Sequence, residues 1–154
     1  RRIVYGICYK LEFRGEYSGI DPLAKLTERI RKEMKICIPT ETGEGKTALV
    51  YGHFGSAPYF TIYDTEAQSL EVVDNANNHH EHGTCNPVAA LQGRAVDVVV
   101  TGGMGARAVM MLNQTGIKVF RAVAGTVENI ISTFDAQNLE ELTVQNACAS
   151  HSCH

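Results

Sequence analysis

The run DVVVTGGMGARAVMMLNQTGIKVF, residues 97–120, constrains the fold more than any other part of the chain. A short block of β-branched residues stops at a glycine-rich turn. An apolar, helix-forming stretch follows, a second glycine ends it, and another β-type run begins. Strand, turn, helix and strand in that order form a crossover unit, which makes the two strands parallel and lays the helix on one face of the sheet. The first strand carries no alternation of polar and apolar residues, as expected of a strand buried on both faces.

The same grammar extends to either side. Strands are expected at Lys35 to Pro39, Tyr59 to Asp64, Leu70 to Asp74, Asp97 to Thr101 and Lys118 to Arg121. Helices are expected at Pro87 to Ala95 behind an Asn86 cap, at Gly105 to Asn113, and at Thr126 to Phe134. Only the short turn TEAQS separates the second and third strands, so they pair as an antiparallel hairpin, while the later strands alternate with helices and run parallel. The expectation is a three-layer α/β/α domain on a mixed five-stranded sheet. Right-handed crossovers then put the loops after Pro39 and after Val100 at the carboxyl edge of the sheet, where such folds bind ligands.

A chain of 154 residues with 44% hydrophobic content supports one core and is short for two. Its net charge of −3 and pI near 6.1 give no basic field for a nucleic-acid backbone. No apolar run approaches the roughly 20 residues that a membrane helix needs. Residues 1–33 stand apart, with eight of the fourteen Lys and Arg, no initial methionine, and an amphipathic segment whose Leu23, Leu26 and Ile30 predict a helix over about 21–33. They read as an N-terminal extension added upstream of Met34. Charged residues interrupt their apolar positions before a signal-peptide core forms, so the cytoplasm is the expected compartment. The five cysteines are odd in number and irregularly spaced, which favours reduced thiols over a disulfide frame.

Several segments carry chemistry. ETGEGKT, Glu41 to Thr47, mimics a phosphate-binding loop, but Thr40 stands where the motif needs glycine and no helix pattern follows Lys46. TGGMGARA, Thr101 to Ala108, is either a tight strand-to-helix crossing or a backbone cradle for an anion or cluster. His53 in GHFG is either structural or a ligand. NNHHEHGTC concentrates His79, His80, His82 and Cys85 just before a helix, with Gly83 allowing the chain to turn the thiol back toward the imidazoles. These donors suit transition metals and, through the thiolate, softer ions and iron–sulfur species. The polar alternative is a solvated loop. CASHSCH, Cys148 to His154, is a second dense Cys/His tract, either a metal-capturing arm or an end without a fixed role. Cys37 reads as a small core residue, and Cys8 belongs to the extension.

The succession MKICIPT, GHFGSAPYFTIYD, the histidine-rich loop ending in Cys85, and VVVTGGMGARAVMMLNQTGIKVF resembles the dinitrogenase iron-molybdenum cofactor biosynthesis family, with its NifX-like carriers, NifB C-terminal parts and small stand-alone members. The resemblance spans about residues 34–142, leaving 143–154 as a Cys/His-rich tail. It implies a ribonuclease H-like motif and a non-catalytic role: holding an iron–sulfur cluster or an iron-molybdenum cofactor precursor, between donor and acceptor proteins. On this chain the corresponding positions are His53, the loop residues His79, His80, His82 and Cys85, and the turn glycines Gly102, Gly103 and Gly105. The competing reading is a Zn or Ni buffer or sensor that uses the same loop and the tail. Hydrolase chemistry is weaker, because it needs converging carboxylates and the strand ends offer only Asp64, Asp74 and Asp97.

Overall fold

In the computed structural model, which describes residues 33–75 and 87–147, the isoleucine-rich run after Met34 forms strand β1 (Lys35–Thr40) at the middle of the sheet. Strands β2 (Tyr59–Asp64) and β3 (Ser69–Asp74) make the expected hairpin. Its turn is held by Asp64, whose carboxylate accepts from the backbone N–H groups of Glu66 and Ala67 at 3.0 and 2.9 Å. β2 pairs antiparallel with β1. On the other flank β1 pairs parallel with β4 (Val98–Thr101), and β4 pairs parallel with β5 (Lys118–Arg121).

A sixth strand corrects the expectation of five. β6 (Glu140–Glu141) pairs antiparallel with β5, so the sheet has six strands in the order β3-β2-β1-β4-β5-β6. Two glutamates carry no β-propensity and no readable period. Pairing with an open neighbour, and the anchoring of the next residue Leu142 in the core, place them instead.

Alternation sorts the side chains onto two faces. Cys37, Phe60, Ile62, Val99 and Val119 point to one face, where they meet Leu91 and the helix α2 (Ala106–Gln114) through Val109 and Leu112. Ile36, Ile38, Val98 and Val100 point to the other, under helix α3 (Val127–Asp135) through Val127 and Ile130. The three layers are therefore as expected. Thr126 caps α3 by accepting from the Asn129 N–H, as its side chain favours at that position.

The helix expected at Pro87 to Ala95 is shorter: α1 covers Pro87–Ala90. The following turn tightens through bonds from Leu91, Gln92 and Arg94 to carbonyls three residues back, and Gly93 takes φ +78°. The chain has to reverse there, because Asp97 enters the sheet beside Lys35. Most of the segment expected to be helical at 21–33 lies outside the described residues.

Leu112 is fully buried between α2 and the sheet, so Leu112→Ala is expected to cost about 2–5 kcal/mol in denaturant unfolding. Met110→Ala, on the exposed side of the same helix, is expected to stay within about 0.5 kcal/mol.

Candidate functional site

β1, β4 and β5 run parallel, so their carboxyl ends share one edge, and the loops that leave that edge are stitched to one another. GHFG follows β1 by way of a loop, 41–51, that folds back toward the start of α3. Tyr51 N–H donates to Pro39 O at 2.8 Å, Val50 N–H to Gly125 O at 3.0 Å, and Val127 N–H to Ala48 O at 3.0 Å. The ETGEGKT segment within it makes only a short 3-10 turn, Gly45–Thr47, and does not run on into a helix as a phosphate-binding loop does.

At the centre of the edge, His53 forms a parallel bridge with Gly103. The backbone of the GHFG loop thereby joins the glycine turn that follows β4. The contact is close because two glycines meet: a Cβ built on Gly102 would lie 3.1 Å from both Cα and O of Gly52. The turn is braced from beneath, where the buried Thr101 hydroxyl donates to Gly103 O at 3.2 Å. Gly105 takes the N-cap position of α2, with no side chain capping the helix. His53 itself is exposed, and its ring is not needed by the core. Phe54, the next residue, fills that role by packing against Phe60.

The root of the histidine-rich loop belongs to the same edge. β3 ends at Asp74, opposite Tyr59, and Tyr59 lies opposite Thr40 at the end of β1. Asn75 is buried and tied down: its side-chain N–H donates to Ala57 O, and its backbone N–H to Pro58 O, both at 2.8 Å. The chain is thus fixed to the segment after GHFG at the point where residues 76–86 begin. His79, His80, His82 and Cys85 themselves lie outside the described residues. Among the described residues, no three His, Cys, Asp or Glu side chains gather as a metal site.

The structure thus joins His53 to Gly103, with Gly102 packed against Gly52. Sequence reasoning missed Asn75 and Gly52. Asn75 looks like the polar end of a strand, and the part played by Gly52 depends on a contact about 50 residues away in sequence. Beyond β5 the edge continues into a cleft of about 310 Å³ between the strand end and α3, bordered by Val123, Asn129 and Glu140.

The candidate carboxylates do not converge. Asp64 serves the hairpin turn, and Asp97 accepts from the Lys35 N–H at 2.8 Å. Both lie at the amino end of β1, whereas Asp74 lies at its carboxyl end. Cys37 is also removed from the site. Its thiol is fully buried in the sheet and pushed well above its ordinary value of 9.0 by that burial, with the Arg94 charge acting weakly the other way.

A mixed sheet in the order 3-2-1-4-5, extended by a short sixth strand and covered by helices on both sides, defines a ribonuclease H-like α/β domain. The particular family follows from comparison. The family model described as "Dinitrogenase iron-molybdenum cofactor" matches residues 34–137, and the chain belongs to that family. A Thermotoga protein provisionally assigned as NifB, solved by NMR, is 32% identical with a TM-score of 0.64, over 77% of this chain and 99% of its own. The apo form of the orange protein from Desulfovibrio gigas is 27% identical with a TM-score of 0.65, over 71% of this chain and 93% of its own. An uncharacterized protein of Methanocaldococcus jannaschii is 25% identical over 114 residues, which is 71% of this chain and 92% of that one. Membership associates the chain with the iron-molybdenum cofactor. Among the described residues no helix is long and apolar enough to cross a membrane.

Two outcomes are expected from these contacts. Gly102→Ala should push the two loops apart and lower stability by about 1–3 kcal/mol, whereas Gly52→Ala, whose added Cβ meets nothing within 4 Å, should change it by less than about 0.5 kcal/mol. For Cys37 the folded state favours the protonated thiol, so its contribution is complete below pH 9.0, the ordinary thiol value, and is lost as pH rises above it. Denaturant unfolding followed against pH should show a decline of up to about 1.4 kcal/mol per unit there, and Cys37→Ala should remove that component.

Proposed function

We propose that this protein is a non-catalytic carrier that binds an iron–sulfur or iron–molybdenum type metallocluster at the carboxyl edge and passes it to a partner protein. The observation that carries this reading is the stitched edge. His53 is held against the glycine turn by its own backbone, and buried Asn75 anchors the root of the loop bearing His79, His80, His82 and Cys85 to the segment after GHFG. The donors would therefore be presented from neighbouring strands around one place.

The donor set suits such cargo. Imidazole nitrogen and a single thiolate bind borderline and soft metals, and so few protein bonds allow release, which a closed shell of four thiolates would resist. The main-chain N–H groups of Gly102, Gly103 and Gly105 supply positive dipoles toward an anionic cluster. No acid–base machinery is invoked, consistent with carboxylates that are spent on turns and strand ends. The cluster is cargo made elsewhere, so a donor protein must supply it and an acceptor must take it. Residues 34–142 form the carrier domain in this reading, and the work lies in the cytoplasm, where reduced thiols persist.

The test is anaerobic loading with iron and sulfide, followed by metal and sulfide analysis and visible absorption. The native chain should take up a coloured cluster. Cys85→Ala should abolish most uptake, and His53→Ala should weaken retention. Because protons compete with metal for both donor types, retention should fall as pH drops below about 6. A colourless native chain, or uptake of zinc or nickel with no iron or sulfide, would overturn the carrier reading; the latter would favour a metal buffer.

A further inference from the structure

The two flanks of the sheet end differently. On one, β6 pairs with β5 and is itself pinned: the Arg121 guanidinium donates to Asn146 O at 2.8 Å, and the Asn146 side chain donates to Glu140 Oε1 at 3.1 Å and Glu141 O at 3.0 Å. On the other, β3 is the outer strand over its full six residues. Its register with β2 is unbroken from Ser69 opposite Asp64 to Asp74 opposite Tyr59, so no bulge interrupts it, and SLEVVD holds neither proline nor lysine. Bulges, proline and lysine are common means of keeping an outer strand from pairing with another chain.

The ladder fixes which peptide groups of β3 face outward. Asn75 N–H donates to Pro58 O, in line with the β2–β3 register. Along an antiparallel pair, residues alternate between exchanging bonds with the partner and facing away from it. Ser69, Glu71 and Val73 therefore bond toward β2, while Leu70, Val72 and Asp74 face the open side. On the far side of β2, Thr65 N–H donates to Met34 O and gives the same phase. Among the described residues, no backbone bond reaches Leu70 or Val72 from the open side. Val72 is also a large apolar residue left 40% exposed. Glu71, on the opposite face of the strand, pairs with Arg94.

We infer that this edge takes a second copy of the chain, β3 against β3, antiparallel about a two-fold axis through Val72. That register brings every outward-facing residue opposite another: Val72 meets Val72 of the second copy, and Leu70 meets Asp74. Centring on Glu71 would set two glutamates directly opposite each other, which is destabilising. Centring on Val73 would leave Leu70 beyond the paired strand. About Val72 the contact is self-complementary, the exposed valine is covered by its own copy, and no two carboxylates are directly opposed. The two Glu71 side chains become diagonal neighbours, each already held by an Arg94 guanidinium. The two sheets join into one, and because the paired strands run oppositely, the carboxyl edges of the two copies face in opposite directions. The pairing is thus independent of the carrier reading.

The test is sedimentation velocity on the 154-residue chain in reductant, from about 1 μM to about 1 mM. The mass should rise from 16.8 kDa toward twice that value. Val72→Lys sets like charges opposite each other at the axis and should raise the dimer dissociation constant at least about tenfold. Met110→Lys, on the exposed side of α2, should leave it unchanged. A second measurement does not depend on that charge. With Cys8, Cys85, Cys148 and Cys153 replaced by Ser, Val72→Cys should form a disulfide-linked dimer on mild oxidation, because the opposed Cα atoms lie about 5.5 Å apart, within disulfide range. Ser69→Cys in the same background should not, since three residues from the axis its two copies stand about 20 Å apart. A chain that stays monomeric throughout, a dimer that Val72→Lys leaves intact, or cross-linking as fast at Ser69→Cys as at Val72→Cys would each overturn the inference. Cluster loading is read separately, so none of these results bears on the carrier reading.

Discussion

The pairing of β1 on both sides is the constraint from which the rest of this structure follows. It takes an antiparallel partner in β2 and a parallel one in β4, and from Ile36 to Thr40 its residues are buried. A strand in that position has to be apolar toward both helical layers, so isoleucines line one face and Cys37 the other. The one polar side chain it buries is satisfied: the Thr40 hydroxyl donates to Thr42 O at 3.0 Å and accepts from Thr61 at 3.2 Å. Leaving such a hydroxyl unpaired would cost about 1–3 kcal/mol. The same environment explains why Cys37 is a packing residue and a poor nucleophile, since only the thiolate reacts and burial disfavours it.

Because β1 is parallel to β4 and β5, the sheet has two unlike edges, and they do different work. At the amino end of β1, carboxylates are consumed in holding the fold: Asp64 closes the hairpin and Asp97 receives the first N–H of the strand. At the carboxyl end, backbone is joined to backbone. Glycine at 102 lets the two loops approach this closely, because a Cβ there would crowd the Gly52 main chain at 3.1 Å. Side chains are thereby freed from structural duty, and His53 is the clearest case. In the carrier role proposed above, ligands that do not hold the fold together would be free to take up and release cargo.

The parts of the fold legible in the sequence were those that repeat a local rule. Unbroken β-branched runs marked the buried strands, a five-residue turn marked the hairpin, and the order of strand and helix fixed the parallel half and both covered faces. Elements set by distant contacts were not legible. β6 exists because β5 has an open edge and Leu142 has a core to enter. α1 stops early because the chain is due beside Lys35. Neither fact is written in Glu140–Glu141 or in the residues after Ala90.

The candidate site divides in the same way. Residue chemistry belongs to the sequence: imidazoles and a thiol between Asn77 and Cys85, glycines after Thr101, a histidine among glycines at 52–55, and a Cys/His tract at the end. Chain order and hydrophobic pattern suffice to put the loops that follow β1 and β4, and with them GHFG and the glycine turn, on one edge of the sheet. Only the tertiary structure decided that His53 and Gly103 are bridged and that Asn75 is fastened to Ala57 and Pro58. Composition and period act on neighbours in the chain, whereas these contacts join residues brought close only when the strands pair.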